Sequence, residues 1–191
     1  MRMQTVSVVV LLWAAWYPDL HSQPIRAYFG PDENHTIERV VLSELKQARD
    51  SVLVQAYGFT SFEIAGLLDS LKDSHSRVVI GILLDKSNRY SSTSMASWLQ
   101  RQKVDIWIDN TVPIAHNKVI IIDGKTVLTG SYNWTEHSKL NAENFLVIKD
   151  AAVVADYCRN WHKRQAMSRR IFKRAPSLQG AAPTKMYRRR R

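Results

Sequence analysis

A single cysteine, Cys158, in 191 residues excludes an internal disulfide framework and leaves the redox compartment open. It falls in a helical pattern and reads as a buried, inert thiol. There is no internal repeat and no glycine-rich phosphate loop. His21, His35, His75, His137 and His162 stand at no metal-ligand spacing from another histidine, cysteine or acid, so no zinc site is indicated. His137, in a loop after the central motif, is either a rim residue or a solvated one. Acidic residues are missing from residues 159–191, which hold 12 of the 27 lysines and arginines. The rest of the chain carries 15 basic against 17 acidic residues, a net of −2, so the positive balance lies wholly in that segment. Beyond Pro176 the composition is that of a disordered tail ending in Arg188 to Arg191. Two readings of the tail stand: an electrostatic tether to nucleic acid or an anionic membrane, or a solvated end with no specific role.

Long apolar runs are also lacking. Val6 to Trp16 follows Arg2 and is too short to span a bilayer comfortably. Residues 1–22 therefore read as a signal peptide for export, cut near Ser22 or Gln23, with a retained N-terminal anchor as the alternative. Residues 23–170 read as one domain with enough apolar content for a real core, and residues 171–191 as a basic tail. Strands are expected at 25–29, 51–57, 77–84, 104–108 and 143–149. Helices are expected from Asp32 or Asn34 to Arg49, at 61–74, at 91–102 and from 151 to about 169. This alternation gives an α/β class: a mixed, mainly parallel β-sheet flanked by helices, with the near-continuous apolar strand 77–84 at its centre.

What is present is concentrated between His116 and Asn133. An apolar run, the turn signal Asp123-Gly124 and a second apolar run predict a β-hairpin. A two-residue loop would make opposed residues differ in parity, so that His116 faces Ser131 or Asn133 and Lys118 faces Thr129 or Ser131. His116, Lys118, Ser131 and Asn133 would then emerge on one face. A three-residue loop would scatter them. An imidazole, an ammonium, a hydroxyl and a carboxamide together suit a tetrahedral phosphate, which needs donors for its oxygens while one side is attacked. Asp123, at the turn, reads either as a turn-former or as a catalytic group.

The pattern His116-x-Lys118, four residues, Asp123, six residues, Gly130-Ser131 and then Asn133 resembles the HKD signature of the phospholipase D superfamily. The chain is similar, over roughly residues 25–167, to the short single-motif bacterial endonucleases of that superfamily. Val54-Gln55-Ala56-Tyr57-Gly58-Phe59-Thr60-Ser61 resembles their first core strand. Ala142-Glu143-Asn144 resembles the segment that supplies an acidic partner to the histidine; the plain alternative for Glu143 is a surface carboxylate. The resemblance implies a layered phospholipase D-like fold, one half-unit per chain, no metal or other cofactor, and hydrolysis through a phosphohistidine.

On this reading His116 attacks phosphorus, and Lys118, Ser131 and Asn133 hold the phosphoryl oxygens. Glu143 orients His116 through its other ring nitrogen. One histidine cannot both attack and protonate a leaving oxygen on the far side of phosphorus in a single step. A homodimer sharing one site at its two-fold axis is therefore expected. Three functions remain open: a nuclease with little sequence preference acting on DNA, with RNA as a second substrate; a phospholipase acting on phosphatidyl lipids; and an inactive binding module for nucleic acid or lipid. The complete residue set argues against the last.

Overall fold

The run Lys118-Val119-Ile120-Ile121-Ile122 is the most apolar strand of the molecule, and all five residues are buried. A strand buried on both faces needs cover on both, and this one has it. The computed structural model describes residues 24–73 and 78–171; the segment 1–22 and the tail beyond Ile171 lie outside the described residues. In chain order the elements are β1 (Ile25–Gly30), α1 (Thr36–Leu45), β2 (Ser51–Ala56), α2 (Phe62–Asp73), β3 (Val79–Asp85), a 3₁₀ turn (Lys86–Arg89), α3 (Ala96–Arg101), β4 (Asp105–Asp109), β5 (Lys118–Ile122), β6 (Thr126–Gly130), a second 3₁₀ turn (Glu136–Leu140), β7 (Glu143–Ile148), α4 (Ala151–Met167) and β8 (Arg169–Arg170).

They form one eight-stranded sheet in the order β1-β7-β6-β5-β2-β3-β4-β8. The expectation of a mainly parallel sheet is corrected here. Among the described residues, only β2–β3 and β3–β4 are parallel, and the other five pairings are antiparallel. The physical reason is connection type. Helices α2 and α3 carry the chain between the neighbouring strands β2, β3 and β4, whereas β5 to β7 run as a meander and α1 links β2 to β1, which pairs against β7 at the far edge. As expected, β3 is interior, flanked by β2 and β4.

Alternation along the strands divides the core in two. Val52, Val54, Ile80, Ile82, Ile120, Ile122 and Leu128 pack with α1, α2 and α3. Leu83, Val119, Ile121 and Val127 pack with Trp161 and Val154 of α4 on the other face. Trp161 lies over Gly81, where a Cβ would stand 2.9 Å from the indole ring, and donates from Nε1 to the Val54 carbonyl at 3.1 Å.

Local chemistry trims several elements relative to their sequence pattern. The Asp32 carboxylate accepts the N–H of Thr36, the first residue of α1, at 3.1 Å, and the helix stops at Leu45 rather than Arg49. Before α3, the chain is tied down by Met95, whose N–H donates to the Phe59 carbonyl, and by Ser94, whose Oγ accepts from Ala96. The helix therefore starts at Ala96 rather than Ser91. Three arginines of the acid-free segment are consumed internally. Arg159 pairs with Asp156, Arg164 with the buried Asp109 at 2.5 Å, and Arg170 with Asp105.

The hairpin β5–β6 pairs Ile122 with Thr126, so its loop has three residues, Asp123, Gly124 and Lys125, not two. Asp123 and Gly124 both take positive φ, 53° and 60°, and the Lys125 N–H closes the turn on the Ile122 carbonyl. The Asp123 carboxylate reaches across to the start of β2 and accepts the N–H groups of Arg49, Asp50 and Ser51 at 3.0, 2.8 and 2.9 Å. Burial acts to raise its pKa, but those N–H bonds outweigh it and hold the carboxyl below the usual range. Asp123 is thus a clasp between the hairpin and β2.

Asp123→Ala should cost about 2 kcal/mol through donors left unpaired, read as a Tm lower by roughly 4–8 °C in thermal melts. The folded pKa lies below the unfolded one. The stabilisation is therefore present above roughly pH 4 and disappears as pH falls through the folded value, so the two melting curves should converge in acid. Equal Tm values at neutral pH would refute the clasp.

Candidate active site at the sheet edge

The carboxyl ends of β2, β3 and β4, the starts of β5 and β7, and the ends of β1 and β6 all lie along one edge of the sheet. The predicted residues gather there, with one exception. Asp123 sits at the opposite end of β5, roughly 16 Å along the strand from Lys118, so a direct catalytic role for it is excluded by distance.

Lys118 is paired across from Ala56 and is only 7% exposed. Its Nζ donates to the His116 carbonyl at 3.1 Å and lies 5.1 Å from the centre of the Tyr57 ring. Burial pushes its pKa down, and the Glu143 carboxylate partly opposes that shift. His116 is exposed and meets the same Tyr57 ring edge-on, with centroids 4.6 Å apart. Tyr57 is held by its own N–H, which donates to the Asn117 carbonyl at 2.9 Å. Tyr57 is thus a site residue that the motif does not contain. The signal for it lies in the segment Val54 to Ser61, where it follows directly on the β2 strand pattern.

With three loop residues, strict alternation would put Ser131 and Asn133 on the face away from Lys118. Strict alternation does not apply to them, because it ends at Gly130. That residue has φ of 154°, and a Cβ there would stand 2.1 Å from the Asn144 carbonyl oxygen. The bare backbone lets the chain turn inward against β7. Ser131 donates its N–H to the Asn144 carbonyl at 3.0 Å, and its Oγ accepts from the Asn144 N–H at 3.0 Å. The same hydroxyl donates to Glu143 Oε2 in a short hydrogen bond. Asn141 donates to the other carboxylate oxygen at 3.2 Å. Asn133 lies over Gly58, and its Oδ1 is buried without a hydrogen-bond partner. Trp134, fully buried, donates to the Gln55 carbonyl at 3.4 Å and accepts from Thr60 and Ser61, pinning this loop to β2.

Glu143 therefore engages Ser131 and Asn141, and its charge is felt by Lys118; it makes no hydrogen bond to His116 among the described residues. β6 lies between β5 and β7, so the end of β6 reaches Glu143 first. His137 is exposed on the second 3₁₀ turn. Cys158 is half-buried, and burial raises its thiol pKa, as an inert thiol requires.

One other cluster of acids lies nearby. Glu38, Glu63 and Glu136 bring oxygens within 4.8 Å of one another, but an ammonium already serves them. Lys139 Nζ is 2.8 Å from both Glu38 and Glu136. Burial would lower its pKa, yet those two carboxylates outweigh it and raise it. This is an ion cluster that fixes the turn beside the site.

The chain belongs to the phospholipase D-like family. The family model described as "Cardiolipin synthase, PLD-like domain" matches residues 41–164. Over 150 residues the chain is 38% identical to the phospholipase D of Rickettsia typhi, covering 78% of this chain and 72% of that one. Its structure is similar to that of Nuc from Salmonella typhimurium, a phospholipase D family member, with TM-score 0.70, 28% identity, and 77% of this chain and 98% of that one covered. NucT from Helicobacter pylori shares the fold at TM-score 0.70 and 22% identity, with 76% and 97% covered. The chain is a hydrolase of phosphodiester bonds of this superfamily.

Lys118→Met should leave Tm equal or higher, because a buried ammonium with a lowered pKa opposes folding. Any gain should be present at neutral pH and fade as pH rises through the Lys118 pKa, where the folded wild type loses its charge. A marked drop in Tm at neutral pH would show that the ammonium stabilises the fold instead.

Proposed function

We infer that the protein is a nuclease that hydrolyses phosphodiester bonds of nucleic acid with little sequence preference, in a site built from two copies of the chain. The observation that carries this is one copy of the motif histidine, His116, exposed on an open sheet edge ringed by apolar side chains. Phe29, Phe62, Ile114 and Leu140 are 59–71% exposed and all come from segments at that edge. Such a rim suits burial against a second copy whose His116 supplies the missing acid. The choice of nucleic acid is supported by the likeness to Nuc over 98% of that chain and by the similarity to the single-motif endonucleases.

The chemistry follows from the groups present. A neutral ring nitrogen of His116 attacks phosphorus, forming a P–N bond as the P–O bond to the leaving oxygen breaks. The partner's His116, protonated, delivers a proton to that oxygen. It then takes a proton from water, whose oxygen attacks phosphorus and releases His116. Lys118 faces the non-bridging oxygens as a buried cation, where its field is least screened. The Asn133 carboxamide and the Ser131 hydroxyl complete the cradle. Glu143 acts by holding Ser131 and by tempering the Lys118 charge. Asp123 takes no part in the chemistry. The basic tail adds a tether to the substrate, and residues 1–22 would deliver the enzyme to its place of action outside the cytoplasm.

A second reading, a phospholipase D acting on phosphatidyl lipids, draws on the same apolar rim and on the name of the Rickettsia relative. Incubating the purified chain with plasmid DNA, single-stranded RNA and labelled phosphatidylcholine vesicles in EDTA separates the two. Nicked nucleic acid and intact lipid are expected. Cleaved lipid with intact nucleic acid would reverse the assignment, and loss of cleavage in EDTA would sink the metal-free mechanism.

His116→Ala should lower the rate by at least about 10³-fold. Mixed with wild type under subunit exchange, it should make activity fall as the square of the wild-type fraction. A linear fall would rule out the shared site.

A further inference from the structure

Away from His116, between α3, the end of β4 and β8, a cleft of about 830 Å³ opens to solvent. Its walls include Arg89, Arg169 and Arg170, with Tyr90, Ser97 and Asn110. No carboxylate is among its described lining residues, although Arg170 spends part of its charge on Asp105 and lies 5.5 Å over the Trp107 ring. Arg89 and Arg169 are exposed, and the Arg89 guanidinium lies 5.5 Å over the ring of Tyr90, which is 83% exposed. Guanidinium groups around an open aromatic ring match what a single-stranded nucleic acid offers, phosphates along its backbone and a π-face on every base.

The cleft is mechanically tied to the active site. Asp85, at the end of β3, accepts the N–H of Ser87 at 2.9 Å on one side and that of Ala115, the residue before His116, at 2.8 Å on the other. The 3₁₀ turn that carries Arg89 is thereby locked to the His116 loop. From β5 to β4 is three strand spacings, roughly 14 Å, a span of only a few nucleotides. The geometry points to an accessory strand-binding groove: Arg89 and Arg169 hold phosphates and Tyr90 stacks a base of the strand that flanks the scissile bond. This rests on the nuclease reading and adds where the substrate runs. The groove explains affinity for a polymer without base readout, since phosphate contacts and stacking are both sequence-tolerant.

The test uses the full chain in the inactive His116→Ala background and a fluorescein-labelled 20-nucleotide single strand, read by anisotropy. Adding Arg89→Ala and Arg169→Ala should raise Kd at least roughly tenfold and reduce the slope of log K against log salt by about 1.4, or 0.7 for each phosphate no longer neutralised. Arg89→Lys with Arg169→Lys should retain the slope. In the active enzyme the Ala pair should leave turnover of bis-p-nitrophenyl phosphate unchanged, because that diester is too small to reach the cleft. An unchanged Kd and slope would overturn the groove. So would a loss confined to phosphatidylserine vesicles with oligonucleotide binding intact, which would assign the cleft to lipid. If the strand binds through these arginines but wild-type enzyme does not cut it, the groove stands and the nuclease reading fails.

Discussion

Everything at the active edge depends on one approach of main chain to main chain, β6 against β7 at Gly130. The Asn144 carbonyl occupies the space that any other residue's Cβ would need, 2.1 Å away. Because nothing projects there, Ser131 can bond to Asn144 through both its N–H and its hydroxyl. That pair of bonds turns the chain out of strand alternation and against the start of β7. The site is therefore assembled by backbone geometry, and the side chains inherit their positions from it. Trp134 then anchors the far side of the same loop to β2, so that the Ser131–Asn133 segment is fixed at both ends.

A buried Lys118 gives this edge its chemical character. Removing an ammonium from water is costly unless an anion compensates it. In the free protein the compensation is incomplete: Glu143 is near enough to oppose the depressed pKa but does not cancel it. A phosphodiester brings the missing negative charge, and its transition state places more of it on the oxygens that Lys118, Ser131 and Asn133 would face. A cation held in a low-dielectric site by a folded framework acts there without reorganising, which is where electrostatic stabilisation is strongest. Tyr57 contributes by contact: its ring touches both His116 and Lys118 and holds the two chemically different groups at one spacing.

Much of this was legible in the sequence, and the failures have physical causes. The helices and seven of the eight strands, as segments, could be read from periodicity and the hairpin signal, and Glu143 was a candidate through the family resemblance alone. The sheet's sense could not. Strand–helix alternation looks the same whether a helix carries the chain to a neighbouring strand or past several, as α1 does from edge strand β1 to interior strand β2. The convergence of His116, Lys118, Ser131 and Asn133 was expected from a two-residue loop. The loop has three residues, so that parity fails, and alternation ends at Gly130, whose positive φ lets Ser131 bond to Asn144 and Glu143 at the same sheet edge. Tyr57 lies in the Val54–Ser61 segment that resembles the family's first core strand, but its contacts with His116 and Lys118 depend on pairing between strands far apart in the chain. β8, two residues long, is too short to leave any period. Charge counting located the basic excess near the C-terminus but could not show that Arg164, within it, pairs with the buried Asp109.

The central claim is that His116 is the covalent nucleophile of this edge. It is tested most directly by mixing enzyme with an oligonucleotide substrate, quenching within milliseconds in alkali, and locating any adduct by peptide mass spectrometry, since a phosphoramidate bond survives base and not acid. A nucleotidyl group should form on the ring of His116, rising before product and decaying with it. Product forming at full rate with His116 unmodified throughout would contradict the claim.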